Sequence, residues 1–495
     1  MKGLLVTSAL LFASSAFAAQ DLAGQWSVHS SIAGNESGQI CKLVVTGDKI
    51  TGICRAQDKD HQVTGTVAGN KATWQYESDY NGSPLTLIYT AALEDSGKIA
   101  GTVEVRPFNV TGEFTATPAP ASSSSASSEV TRPIAEQALK KAGAIAAAQS
   151  WRIGPFRRPA EGNPVVKPNR ESTFMDPVLK APVHWEALHT FNPAAIVKDG
   201  KVVVLYRAED DSGKMAIGMH TSRLGMAVSE DGVHFTRQAE PVFFPAEDGE
   251  KAREWPGGVE DPRLVESEDG TYVLTYTQWN RQIARLAMAT SKDLIHWTKY
   301  GSAFQEALGD KYASRWSKSA GIVTRLDEAK GRLIAARIDG RYWMYWGEGT
   351  VYLAYSTDLI HWTPVENEMG GLQVLLASRK KRFDSSFPEG GPPPVLTKAG
   401  IVLIYNGRNA EQDGDPKLGA FAYAAGEALF DAHTPAKMLA RTDEPVLKPE
   451  LPYEKTGQYV SGTTFSEGLV YFKGQWMIYY GCADSLVSVA MAPVR

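Results

Sequence analysis

From residue 22 to 117 apolar and polar residues alternate in short runs, at 25–28, 42–45, 63–67, 72–76, 85–89 and 101–105, set apart by Gly, Asn and Asp. A period of two over such lengths marks strands with one buried face, and a succession of them without a helical stretch predicts a small antiparallel barrel or sandwich. Strands follow one another again from about residue 151 to the end, and here a template recurs. Ser229-Glu-Asp-Gly-Val-His-Phe235, Ser291-Lys-Asp-Leu-Ile-His-Trp297 and Ser356-Thr-Asp-Leu-Ile-His-Trp362 each follow an apolar strand, at a spacing of roughly 60 residues, so the length beyond 151 holds about five such units. In each, Ser and Asp are expected to cap a turn and the aromatic to pack between units, which predicts a five-bladed β-propeller. The expected fold is therefore all-β throughout.

Between the two strand-rich regions the pattern changes. Residues 118–132 are rich in Pro, Ala and Ser and read as a flexible linker. Residues 133–150 are Ala-rich, with Glu136 four before Lys140, and read as a helix. The chain opens with Lys2, an apolar run over 4–12 and the small residues Ser14-Ser-Ala16-Phe-Ala18, the pattern of a secretory signal peptide that ends near residue 18 and is too short to span a bilayer. The expected domains are a signal peptide over 1–18, a barrel-like domain over 19–117, the linker, the helix, and a propeller over 151–495. The chain is expected to be secreted, into the periplasm if the source is Gram-negative.

Export changes how the three cysteines read. Cys41 and Cys54 flank the turn Gly47-Asp48 symmetrically, which sets them opposite one another across a hairpin and predicts a cross-strand disulfide. Cys482, in an apolar strand, is expected to be a buried free thiol. Lys and Arg number 51 against 56 Asp and Glu, a net charge of −5, which argues against nucleic acid or an anionic membrane as partner. No later segment is apolar and long enough to span a membrane as a helix. His234, His296 and His361 occupy equivalent places in three units and so point away from one another around a ring, where they cannot share a metal ion. The sequence contains no metal-, redox- or nucleotide-binding motif, and no metal or cofactor is expected.

The most specific stretch is Trp255-Pro-Gly-Gly-Val-Glu-Asp-Pro-Arg263, with Leu274-Thr-Tyr-Thr277 behind it. It sets Glu260, Asp261 and Arg263 between paired glycines and a proline, where a chain turns tightly as it enters a sheet. This string resembles the signature of glycoside hydrolase family 130, five-bladed propellers that cleave β-mannosides by phosphorolysis or hydrolysis. The resemblance covers residues 185–495 and makes Asp261 the expected catalytic acid. It implies sugar-binding roles for Asn192 in Phe191-Asn-Pro, Arg207 in Leu205-Tyr-Arg, and Asp484 in Tyr480-Gly-Cys-Ala-Asp. Arg263 is expected either to position Asp261 or a sugar hydroxyl, or to pair with Glu260. Trp255, Trp343 and Trp346 offer faces for pyranose rings or pack between blades. The first domain resembles, with low specificity, small lipocalin-like barrels. It shows no convergent polar cluster and is expected to be a structural or docking module.

Inverting cleavage needs an acid for the departing oxygen and a nucleophile on the opposite face. Water needs a carboxylate to take its proton, whereas phosphate needs a cationic cradle. Phosphorylases of the family tend to carry Tyr-His where this chain has Tyr405-Asn406, which are expected to bind substrate, and a basic residue where this chain has Glu348. With Glu389, Glu348 resembles the glutamate pair of the hydrolytic branch. Lys318, Arg325 and Arg341 remain as candidate phosphate ligands. The expectation is an inverting β-mannosidase of the β-1,2 type acting on an oligosaccharide. The alternatives are a β-mannoside phosphorylase using inorganic phosphate, and a non-catalytic carbohydrate-binding propeller.

Overall fold

A computed structural model of the chain describes residues 22–32, 35–56, 59–80, 83–93, 99–106, 110–119 and 151–493. The expected signal peptide, most of the linker and the helix expected over 133–150 lie outside the described residues. The chain divides into two compact units between Val130 and Thr131. No helix among the described residues is long and apolar enough to cross a membrane.

In the first unit eight strands pair in sequence order and close into a barrel: Gly24–Ile32, Asn35–Thr46, Lys49–Ala56, Lys59–Ala68, Lys71–Tyr80, Ser83–Leu93, Ile99–Arg106 and Val110–Pro118. The last, which the sequence pattern does not single out, pairs with the first and leaves no open sheet edge. Alternate residues point inward, and Trp26, Val28, Leu43, Val63, Trp74, Tyr89 and Phe114 fill the interior. Trp74 stacks on Tyr89 at 5.5 Å and meets Phe114 edge-on at 5.4 Å. Cys41 and Cys54 are partners in register and joined by a disulfide inside the barrel. Contrary to expectation the interior does hold a polar cluster: Gln39 Nε2 donates to the Tyr89 hydroxyl at 2.9 Å, and the Tyr76 hydroxyl donates to Gln39.

The second unit is a propeller of five blades, each an antiparallel sheet that begins at the axis. The first blade runs His189–Lys198, Lys201–Glu209, Ser222–Ser229 and Thr236–Arg237; the second Gly258–Glu266, Tyr272–Trp279, Ala284–Ser291 and Trp297–Ser302. The third has a split inner strand, Ala320–Ile322 and Thr324–Asp327, then Arg341–Trp346, Tyr352–Ser356 and Thr363–Pro364. The fourth has Phe387–Gly390 and Val395–Thr397 inside, then Gly400–Arg408, Tyr423–Phe430 and Met438–Arg441. The fifth has Thr464–Phe472, Gln475–Cys482 and Leu486–Pro493, and the segment at its N-terminal side closes the ring by bridging Arg157 to Met491 and Val166 to Val487.

Each second strand is apolar on both faces because each face meets a different neighbouring blade. Val202, Val204 and Tyr206 face the fifth blade, while Val203 and Leu205 face the second. Along Gly400–Arg408, Ile401, Leu403 and Tyr405 face the third blade, while Val402 and Ile404 face the fifth. The recurring turns are caps: the Oδ1 of Asp231 accepts the backbone N–H of Val233 and of His234, both at 2.8 Å, and its Oδ2 lies 2.7 Å from His234 Nδ1. Asp293 with His296 and Asp358 with His361 repeat this geometry.

Candidate active site

Three of the five inner strands slip register at their fourth residue. Pairing shifts between Phe191 and Pro193 in the first blade, between Glu260 and Arg263 in the second, and between Ser466 and Gly468 in the fifth. A bulge re-aims a side chain, and the residues released are Asn192, Asp261 and Glu467. Asn192 and Asp261 take φ values of 45° and 49°, a left-handed conformation that Asn and Asp tolerate better than other side chains. Beyond the bulges the axis is plugged by Ala195, Val197, Leu264, Thr324, Pro393 and Leu469 around a void of about 10 Å³.

Asp261 is the hub. Its Oδ1 accepts from Asn192 Nδ2 at 2.8 Å and from Arg207 Nη1 at 3.1 Å, and its Oδ2 lies 3.2 Å from Lys318 Nζ. Arg207 Nη2 also donates to Glu209 at 2.7 Å and to Glu260 at 2.8 Å. Arg263 donates to the backbone oxygen of Asp261 at 3.0 Å and to that of Gly390 at 2.7 Å, and its Nη1 lies 3.0 Å from Glu467 Oε1. It thereby ties the second, fourth and fifth blades together at the axis.

One short segment, the end of the connection leading into the third blade, holds three different carboxylates. Trp316 Nε1 donates to Glu348 Oε2 at 3.0 Å, Lys318 meets Asp261, and Ser319 Oγ donates to Glu389 Oε1 at 2.6 Å. Glu348 and Glu389 bridge one another's backbones. Next to them a Cβ on Gly390 would stand 2.1 Å from the Ser319 oxygen, so only glycine allows this approach.

Glu209, Glu260, Asp261, Glu348, Glu389, Glu467 and Asp484 outnumber the cations Arg207, Arg263 and Lys318, and the shortage sorts their protons. Burial alone would raise the Asp261 carboxyl, but Lys318 first, then Arg207 and Arg263, hold it well below the usual carboxylate range. Burial dominates at Glu260, Glu389, Glu467 and Asp484. It raises Glu389 to about 8, aided by the charge of Glu348, and raises Glu260 and Asp484 to about 7 each against the pull of Arg207. Glu467 is pushed well up by burial, with Arg263 opposing. Burial works against the Lys318 ammonium, yet Asp261, Glu348 and Glu389 raise it above its ordinary value. The free site thus keeps Asp261 ionised and favours the protonated forms of Glu389 and Glu467. Among the described residues no His, Cys, Asp or Glu cluster has the makings of a metal site.

Of the residues expected from sequence, Asn192, Arg207, Asp261, Arg263, Glu348, Glu389 and Asp484 converge here, Asp484 partly open to solvent. Arg263 pairs with Glu467 and not with Glu260, which is held by Arg207. Tyr405 does not reach the site. It lies between the third and fourth blades, and its hydroxyl donates to Asp384 Oδ2 at 2.7 Å. Tyr206 with Glu186, Tyr276 with Glu254 and Tyr480 with Glu454 make the same contact at 2.8 Å in other blades, so this tyrosine is a repeated structural clamp. Tyr405→Phe is expected to lower stability by about 1 kcal/mol while leaving KM unchanged, which a thermal melt and steady-state kinetics would check.

Asn406 lies at the axis but is committed to backbone. It accepts from Ser466 N at 2.8 Å and donates to Ser466 O at 3.0 Å, which fixes the bulge that presents Glu467 and leaves nothing for a substrate. Lys318 is in the cluster, whereas Arg325 is exposed beside Glu268 and Arg341 is exposed over the ring of Tyr355. Trp346 is buried against Phe304, and Trp343 packs between blades with its N–H on Ile338. Trp316 is an aromatic that does touch a site carboxylate, Glu348, and Trp279 stands against Trp316. Glu209 and Glu467 join the site with no motif in the sequence to mark them. The bulge that aims Glu467 is marked only by Gly468, whose Cβ would stand 2.8 Å from Pro193 O.

Comparison with known proteins bears on the whole propeller. The family model Glyco_hydro_130, described as beta-1,4-mannooligosaccharide phosphorylase, matches residues 157–495. A 1,2-beta-oligomannan phosphorylase of Thermoanaerobacter sp. (strain X514) is 33% identical over 325 residues, which are 64% of this chain and 95% of that protein. A putative glycosidase from Bacteroides thetaiotaomicron VPI-5482 superposes with a TM-score of 0.68 at 52% identity, over 69% of this chain and 98% of that one. A further structure, presented under the statement that the GH130 family of mannoside phosphorylases contains glycoside hydrolases that target beta-1,2 mannosidic linkages in Candida mannan, has a TM-score of 0.68 at 51% identity, over 69% of this chain and 94% of that one. The chain belongs to glycoside hydrolase family 130.

Proposed function

We propose that the chain is an exported β-mannosidase that hydrolyses β-1,2-linked mannosides with inversion. Asp261 gives its proton to the departing oxygen, and Glu389, with Glu348 beside it, takes the proton of the attacking water. The observation that carries this is the pairing of Glu348 and Glu389 across one backbone bridge, with Lys318 reaching from Asp261 into their field. Two carboxylates at the nucleophile's place repel a phosphate dianion and activate a neutral water. Arg207, Arg263 and Lys318 already meet carboxylates, and Arg325 and Arg341 stand elsewhere. Export points the same way, because the sugar phosphate made by phosphorolysis is useful mainly inside a cell.

The same reading accounts for the resting charges. Both oxygens of Asp261 are occupied by donors, so a glycosidic oxygen has to displace one of them. Lys318 has other carboxylates to turn to, Glu348 and Glu389. Its shift removes the strongest influence keeping Asp261 ionised and favours the ionised form of Glu389. The acid thereby gains a proton as the base loses one.

Phosphorolysis is the second reading, favoured by similarity to phosphorylases, among them the Thermoanaerobacter oligomannan phosphorylase and the β-1,2-mannobiose phosphorylase of Listeria innocua serovar 6a. Initial rates on β-1,2-linked mannobiose across a phosphate titration separate the two. The hydrolase runs at full rate without phosphate, whereas a rate that vanishes without it and saturates with it belongs to a phosphorylase.

A further inference from the structure

We infer that Trp316 sets specificity and positions Glu348: its uncovered ring is the platform for the sugar next to the one being cleaved, and its indole N–H holds the Glu348 carboxylate. This rests on the chain cleaving β-mannosides but holds for either nucleophile.

Trp316 is 41% exposed, an unusual state for so large an apolar side chain in a protein that buries Trp185, Trp346 and Trp362 almost completely. Its position is nevertheless fixed. Nε1 is committed to Glu348 Oε2, and the ring stands against Trp279 at 5.8 Å and 70°. Trp279 is itself pinned through its N–H to Gly218 O at 2.9 Å. The next residue, Ser317, is tied to the second blade, its N–H donating to Ala284 O at 3.1 Å and its Oγ accepting from Leu286 N at 2.9 Å. A ring held on one edge and left uncovered is preorganised for stacking, since no side-chain freedom remains to be lost on binding.

The apolar face of a pyranose matches such a ring, while its hydroxyls find the carboxylates alongside. Ile217, next in sequence to the Gly218 that anchors Trp279, is a further exposed apolar side chain, at 56%. Trp316 touches none of the groups that contact Asp261 and is joined to the site by its one hydrogen bond to the half-buried Glu348, so the ring it would carry is a second sugar.

The test separates platform from positioning. In Trp316→Phe a ring remains and the N–H is lost. KM for β-1,2-linked mannotriose should stay within about threefold of wild type, while kcat drops about tenfold on mannotriose and on β-mannosyl fluoride alike. In Trp316→Ala the same kcat loss should be joined by a rise in KM of roughly 10- to 30-fold for mannotriose alone, the fluoride having no second ring. Equal KM effects on the two substrates, or a Phe variant no better than Ala, would overturn the assignment. Calorimetric titration of mannotriose, in phosphate-free buffer, into Asp261→Asn and into Asp261→Asn/Trp316→Ala reads the platform with turnover suppressed. A loss of about tenfold in affinity supports it even if the chemistry proposed above is wrong, and unchanged affinity overturns it.

Discussion

Asp261→Asn is expected to lower kcat/KM on an unactivated β-mannoside by about a hundredfold or more, the usual scale for losing a general acid. The substitution is nearly isosteric, and the amide oxygen can still accept from Asn192 or Arg207. The cations it releases are not stranded, because Arg207 keeps Glu209 and Glu260, and Lys318 keeps Glu348 and Glu389. The fold should therefore survive, with a melting temperature close to wild type. An Asp261→Asn protein that cleaves mannobiose at near wild-type rate would remove Asp261 from the mechanism.

Glu389→Gln is the second change expected to be severe, costing about 100- to 10,000-fold in kcat for loss of a general base. The amide oxygen preserves the Ser319 hydrogen bond and the backbone bridge to Glu348, so the loss would be chemical. The same carboxyl sets the pH dependence. With Glu389 raised to about 8, the free site keeps a proton available for the leaving oxygen up to that pH. It loses that proton above it, so wild-type kcat/KM should fall as pH rises through about 8. A profile flat to pH 10, or a Glu389→Gln variant of undiminished kcat, would place the proton inventory elsewhere.

Much of this arrangement is legible in the sequence where backbone punctuation marks it. The Gly47-Asp48 turn fixes the register that brings Cys41 to Cys54, and the spacing of the three Ser-x-Asp turns, set against the length of the region, gives five blades. The glycines and proline around Asp261 announce an irregular strand. Residues delivered by less conspicuous bulges are harder to see: Glu467 reads as one more position of an apolar strand until the slip between Ser466 and Gly468 turns it to the axis.

The Tyr405-Asn406 pair fails for a simpler reason. Successive residues of a strand face opposite ways, so both cannot line a funnel. Tyr405 faces the third blade, as its place in the Leu403, Tyr405 alternation requires. For the tryptophans the pattern leaves a sugar platform and packing between blades both open, because exposure is decided by loops. Trp343 and Trp346 lie on a strand and are taken up by inter-blade packing, whereas Trp316 belongs to the long connection between Trp297–Ser302 and Ala320–Ile322.

The most direct test of water as the nucleophile is to incubate the protein with β-1,2-linked mannobiose in ¹⁸O-enriched water, with and without inorganic phosphate, and to follow the first-formed product by NMR and mass spectrometry. Attack by a water that Glu389 activates predicts α-mannose carrying ¹⁸O at its anomeric carbon, formed at the same rate in both incubations. α-Mannose 1-phosphate, formed only where phosphate is present, would contradict it.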